Sequence, residues 1–236
     1  MQIKLMSFNT MHCENYITKR IELDRFAETI RGCGADIIGL NEMRGSGEHP
    51  GYRAQTEYLA KQLGFDFYFA KAIDVKGNNP YGNGILSRYP IVSAETVMIP
   101  DPLVRRYNGY YESRCVLKAR ISTPAGELTV LVTHFGLNPD EQENAVATAL
   151  SALEEKHCVL MGDFNVTPEN GLLAPIRAKL FDTAELFDKE QLSFPSDAPR
   201  IKIDYLFVSH DFSVSSADIP DIVLSDHRPH LATVSI

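Results

Sequence analysis

Cys158-Val159-Leu160-Met161-Gly162-Asp163-Phe164-Asn165 is the stretch from which the rest of the chain is best read. Four apolar residues in a row, followed by turn-forming types, have the pattern of a short strand buried in a sheet. The run stops on Asp163 and Asn165, which stand two apart, so an extended backbone directs both side chains to one face. Taken alone, this ending means little, because Asp and Asn also suit a tight turn after a strand.

The same ending recurs along the chain. Leu5-Met6-Ser7-Phe8 leads to Asn9, Ile37-Ile38-Gly39-Leu40 to Asn41-Glu42, and Leu131-Val132-Thr133 to His134. Ile222-Val223-Leu224-Ser225 leads to Asp226-His227, and in reverse order Asp204 opens Tyr205-Leu206-Phe207-Val208. Each residue has a plain alternative: Asn9 as a turn residue, Glu42 as a solvated carboxylate, His134 as a satisfied structural histidine, Asp226 as a turn cap. Chance does not gather so many metal- and phosphate-binding types at strand ends, and the set as a whole reads as functional.

Around these runs the chain alternates β-like stretches with turn-rich loops. Strands are expected at Ile3–Phe8, Ile37–Leu40, Phe65–Ala70, Gly84–Ser87, Ile91–Ile99, Cys115–Ser122, Leu128–Thr133, Cys158–Met161, Tyr205–Val208, Ser213–Ala217 and Leu231–Val234. Helical spacing covers Arg20–Arg31, Gln55–Leu63 and Asp140–Glu155, with a short helix expected over Leu172–Leu180. About eleven strands exceed what one open sheet usually holds. Two packed mixed sheets flanked by helices suit the count, a four-layer α/β/β/α sandwich within one domain spanning residues 1–236.

Composition narrows the function classes. No apolar run approaches the roughly 20 residues of a membrane-spanning helix. The N-terminus lacks the pattern of a signal peptide, so a cytoplasmic location is expected, with no membrane partner. Cys13, Cys33, Cys115 and Cys158 form no CxxC pair and read as isolated reduced thiols. With 23 basic and 31 acidic residues the formal net charge is −8, which lowers the expectation of a long nucleic acid as substrate.

The segments Ser7-Phe8-Asn9, Asn41-Glu42, Thr133-His134, Gly162-Asp163-Phe164-Asn165, Ile203-Asp204-Tyr205 and Ser225-Asp226-His227-Arg228-Pro229 resemble, in this order, the endonuclease/exonuclease/phosphatase superfamily, which includes pancreatic deoxyribonuclease and the apurinic endonucleases. The resemblance spans nearly the whole chain and implies the same two-sheet sandwich. Asn41 departs from it, since the family usually carries Gln before the glutamate. By resemblance, Glu42 is the principal ligand of Mg²⁺, or of Mn²⁺ in its place, with Asn9 and Asp226 contributing directly or through water. Resemblance also makes Asp163 the residue that orients or activates the water, and Asn165 a donor to a phosphate oxygen. His227 is the general base or a phosphate contact, with Asp204 on its other ring nitrogen. Whether Asp163 or His227 takes the proton stays open on sequence alone. His134 is a second histidine for the phosphate or the leaving group. Arg114, in Glu112-Ser113-Arg114, resembles the family's Glu-x-Arg segment and either orients Glu42 or reaches the phosphate; Asn83 is a further phosphate-binding candidate near the same rim.

These residues imply a metal-dependent phosphoesterase acting on a small or short phosphorylated substrate. Two alternatives stand beside it, a nucleic-acid endo- or exonuclease and a catalytically silent binding module. The loop Val104-Arg105-Arg106-Tyr107-Asn108-Gly109-Tyr110-Tyr111 suits either gripping a strand or closing over a small anion. The sequence is silent on oligomeric state.

Overall fold

The computed structural model describes residues 1–236. In chain order the elements are β1 (Gln2–Asn9), β2 (Glu14–Asn15), β3 (Arg20–Ile21), α1 (Leu23–Cys33), β4 (Ile37–Arg44), α2 (Gln55–Leu63), β5 (Asp66–Asp74), β6 (Pro80–Ser87), β7 (Ile91–Met98), β8 (Cys115–Thr123), β9 (Gly126–His134), α3 (Pro139–Ala152), β10 (Cys158–Asp163), α4 (Ala174–Arg177), β11 (Leu180–Asp182), β12 (Asp204–Ser209), β13 (Ser213–Asp218) and β14 (His230–Ser235).

Alternation along the central strands explains why they read as unbroken apolar runs. In β1, Ile3 and Leu5 face one apolar cluster while Met6 and Phe8 face another. In β10, Val159 and Met161 face the first cluster while Cys158 and Leu160 face a third. Both faces are apolar along Leu5–Phe8 and Cys158–Met161, where Ser7 is the polar exception. The first cluster lies between the sheets, the second holds Phe26 and Ile30 of α1 with Leu59 of α2, and the third holds Ala145 and Ala149 of α3 with Ile176 of α4. Three dry interfaces require four layers, and the expected α/β/β/α sandwich is what forms. Each large side chain so buried contributes roughly 1.5–3 kcal/mol.

The two six-stranded sheets run β13-β14-β1-β4-β6-β5 and β11-β12-β10-β9-β8-β7. Each has one parallel pair at its centre, β1 with β4 and β9 with β10, and antiparallel neighbours outside it. This arrangement places the functional rim, because the carboxyl ends of both parallel pairs point the same way as the amino ends of β12 and β14.

Three local expectations need correction. Arg20 and Ile21 are not helical: they pair with Asn15 and Glu14, because Asn15 Oδ1 accepts from the Ile17 and Thr18 amides and turns the chain back. Residues 172–180 hold only a 3₁₀ turn and the single turn of α4, and Leu180 already belongs to β11. β4 does not stop at Leu40: it continues to Arg44 through a bulge between Leu40 and Met43.

Candidate active site

Registers bring the strand ends together. Asn9 pairs with Asn41 across β1 and β4, His134 with Asp163 across β9 and β10, and Asp204 with Asp163 across β12 and β10. The loop entering β14 adds Asp226 and His227.

Glu42 sits at the bulge with φ 62, a left-handed backbone that non-glycine residues rarely adopt. The extra residue of a bulge re-aims a side chain, and Glu42 is turned toward Asn9, whose Nδ2 donates to Glu42 Oε1 at 3.1 Å. The same Nδ2 donates to Asp163 Oδ2 at 3.0 Å, so one amide joins the carboxylates of both sheets. Burial opposes the charge of Glu42, but nearby His12, His134 and Asn9 hold its carboxyl well below the usual range. Asp226 goes the other way: burial and the charge of Glu42 raise it against the pull of His227. Two carboxylates that repel one another at a half-open rim are suited to sharing a hard cation.

Asp163, His227 and Asp204 form a buried group whose ligand atoms lie within 4.8 Å of one another. His227 Nδ1 is 2.8 Å from Asp204 Oδ2, and His227 Nε2 is 3.6 Å from Asp163 Oδ2. Asp204 is acceptor-only when ionised, so Nδ1 carries a proton toward it. Burial disfavours the imidazolium, yet Asp204 and Asp163 together raise His227 to about 10. Asp163 is itself raised by burial and by Asp204, with His227 opposing. The Phe194 ring packs on His227 at a centroid separation of 4.8 Å and fixes its plane.

His134 is held differently. Arg114 Nη1 lies 3.1 Å from His134 Nδ1 and 2.8 Å from Glu112 Oε1. Guanidinium only donates, so Nδ1 accepts and the proton of a neutral ring stands on Nε2, 3.4 Å from Asp163 Oδ2. Burial and Arg114 push His134 well below the normal histidine range, which agrees with a neutral ring. Asn165, at φ 51, donates from Nδ2 to Phe135 O at 3.0 Å, and the same Nδ2 lies 3.2 Å from His134 Nε2. Its own backbone N–H donates to Asp163 Oδ1 at 2.9 Å.

Three placements depart from expectation. Asn83 does not face the rim: its Nδ2 donates to Cys115 O and its Oδ1 accepts from Asn41, so its polar atoms tie the two sheets together inside the sandwich. Arg114 contacts His134 and Glu112 rather than Glu42. Asp163, two residues past the strand expected over Cys158–Met161, is the last residue of β10.

Two residues of the site have no role that the sequence assigns. Asn41, fully buried, donates to Thr133 O and Asn83 Oδ1 and accepts from the Asp163 N–H, each at 2.9 Å. His12 stands with Nδ1 3.8 Å from Glu42 Oε2 and Nε2 3.7 Å from Glu14 Oε2. It lies in a run of three left-handed residues, Met11 to Cys13, one residue beyond the end of β1. A strand end rich in polar residues was the only available signal for it.

The fold and rim together define a four-layer sandwich with carboxylate, amide and imidazole groups at the carboxyl ends of two parallel strand pairs. Residues 6–227 match the endonuclease/exonuclease/phosphatase family, and the chain belongs to that family. Its members are hydrolases of phosphoester bonds and generally depend on a divalent metal. The uncharacterised protein YbhP of Escherichia coli K12 is 25% identical over 99% of this chain and 96% of its own length. The mannosyl-6-phosphatase of Bacteroides thetaiotaomicron superposes with a TM-score of 0.79 at 17% identity, over 99% of this chain and 100% of its own. The human nocturnin catalytic domain, solved with a sulfate anion, superposes with a TM-score of 0.77 at 19% identity, covering 99% and 93%. No helix is long and apolar enough to cross a membrane.

Proposed function

We propose that this chain is a Mg²⁺-dependent phosphoesterase, Mn²⁺ substituting, that hydrolyses a small or short phosphorylated substrate with an activated water. The observation that carries the reading is the Asn9 amide, which bonds Glu42 of one sheet and Asp163 of the other while Asp163 adjoins the His227–Asp204 pair.

Glu42 and Asp226 would hold the cation, their carboxylate oxygens and mutual repulsion fitting a hard divalent ion, and Asn9, whose Oδ1 accepts from the Met11 N–H, would join directly or through water. When bound, such an ion supplies neutralisation of phosphate charge and polarisation of a phosphoryl oxygen. The remaining work belongs to side chains. Asp163, fixed by Asn9 and by the Asn165 N–H, orients the attacking water on the side facing His227 and His134. His227 exchanges a proton at Nε2 while Asp204 holds its tautomer at Nδ1, the division of labour of a serine-protease His–Asp pair. His134, kept neutral by burial and by Arg114, offers Nε2–H to a phosphate oxygen, and Asn165 stands beside it as a second donor.

The preference for a small substrate rests on charge. Net charge is −8, and Arg106, in the aromatic loop best placed to track a polyanion, is already paired with Glu143. The test is hydrolysis of p-nitrophenyl phosphate and bis-p-nitrophenyl phosphate with Mg²⁺ or Mn²⁺, repeated in EDTA, then a wider phosphoester panel. No metal-dependent turnover on any of these would leave a binding module as the better reading.

A further inference from the structure

His12 stands at the rim between two carboxylates. Its Nδ1 lies 3.8 Å from Glu42 Oε2 and its Nε2 lies 3.7 Å from Glu14 Oε2, with 20% of the side chain exposed. A neutral imidazole has one N–H and one lone pair. Whichever nitrogen carries the proton, such a ring turns its lone pair toward a carboxylate, a repulsive pairing that a cation between the two relieves. At metal–ligand lengths of about 2.0–2.2 Å, two donors to one divalent ion stand no more than about 4.3 Å apart. His12 Nδ1 and Glu42 Oε2 fall inside that limit. Metal-ligating histidines usually set their other ring nitrogen against a carboxylate, and Glu14 occupies that place.

The backbone is bent to put the ring there. Met11, His12 and Cys13 have φ of 48, 46 and 57, a conformation that residues with a Cβ rarely adopt even singly. Their surroundings hold them in it. The Met11 N–H donates to Asn9 Oδ1 at 3.1 Å, the Cys13 N–H to Thr10 O at 2.9 Å, and Gln55 Nε2 to His12 O at 2.6 Å, while the Cys13 side chain is fully buried. Backbone strain over-determined in this way collects at ligand sites. The first of these bonds also competes for the Asn9 oxygen, which leaves room for another donor beside Glu42.

We propose that His12 is a metal ligand: its Nδ1 joins Glu42 on the divalent cation while Glu14 faces Nε2, and this nitrogen tilts the site toward first-row transition ions such as Mn²⁺ over Mg²⁺. The inference rests on the proposed cation site and adds a donor and a preference to it. Imidazole nitrogen is a softer donor than carboxylate or water oxygen and suits transition metals, whereas Mg²⁺ keeps to oxygen ligands.

The test loads wild type and variants with one equivalent of Mn²⁺ and records the electron spin-echo modulation, which reports nitrogen bonded to the ion without any substrate. Wild type should show ¹⁴N modulation. His12→Asn should fold, because asparagine is at ease in the left-handed region, and should lose that modulation, while His134→Asn and His227→Asn keep it. In calorimetric titrations His12→Asn should weaken Mn²⁺ binding at least about tenfold and Mg²⁺ binding by less, so that the ratio of the two affinities falls. Glu14→Gln should keep the modulation with a weaker Mn²⁺ isotherm. A wild type that binds Mn²⁺ without ¹⁴N modulation overturns the proposal, and so does modulation that survives in His12→Asn or a ratio that does not move. Should His12→Asn fail to fold, His12→Asp takes its place: it tolerates the same backbone, offers oxygen in place of nitrogen, and should lose the modulation while shifting preference toward Mg²⁺. A wild type that binds neither ion instead overturns the metal-dependent reading, so the two failures are distinct.

Discussion

Replacing Asn41 by alanine should weaken the protein far more than its small size suggests. The side chain makes three hydrogen bonds of 2.9 Å, to Thr133 O, Asn83 Oδ1 and the Asp163 N–H, and all three partners are enclosed. Truncation leaves each partner without its bond. A buried polar group so orphaned costs about 1–3 kcal/mol, so the three together come to at least about 3 kcal/mol. The space vacated by the amide adds a cavity term. A loss of about 3–5 kcal/mol is a large share of the roughly 5–15 kcal/mol that holds a domain folded. Urea denaturation followed by far-UV circular dichroism measures it, with the slope unchanged if the transition stays two-state. Asn41→Ala should also lower turnover in the protein that remains folded, because the Asp163 backbone loses its anchor. A destabilisation below about 1 kcal/mol would refute the idea that this amide locks the sheets at the rim.

Further outcomes follow from the same geometry. His227→Ala should reduce phosphoester turnover by on the order of 10²–10⁴-fold with far-UV dichroism unchanged; activity retained with a large fall in melting temperature would make His227 structural. Glu42→Gln should weaken Mg²⁺ binding in a calorimetric titration, and an unchanged isotherm removes Glu42 from the metal site. Gly162→Ala should destabilise by about 3 kcal/mol or more, since Gly162 has φ 145 and a Cβ there would meet the Thr133 carbonyl oxygen at 1.8 Å; a melting temperature equal to wild type contradicts this. In EDTA, the His227–Asp204 contact should stabilise the protein fully below about pH 6.5 and fade as pH rises toward 10, because the folded imidazole is raised from 6.5 to about 10. Melting curves of wild type and Asp204→Asn should therefore converge at alkaline pH, and a gap that stays constant there excludes the assignment.

Much of this was legible because physics writes it locally. Strands buried on both faces keep carboxylate, amide and imidazole groups out of their interiors, so those of β1, β4, β9 and β10 collect at the ends, where Asn9, Glu42, His134 and Asp163 stand out in one dimension. What escaped depends on pairings between distant segments. The ribbon of Glu14–Asn15 with Arg20–Ile21 has only two residues per strand, too few for any periodicity to register. Asn83 and Asn41 were readable as rim candidates, yet one became an inner brace and the other a lock, because register decides which way an amide points.

The order of the first sheet carries a consequence for when the enzyme can act. Its founding strand β1 lies between β4 and the last strand of the chain, β14, and the segment leading into β14 carries Asp226 and His227. A chain still emerging, or cut short before residue 226, owns Glu42 and Asp163 but has nothing with which to close the constellation. On the proposed reading, the constellation is complete only once the last stretch of polypeptide docks beside the first.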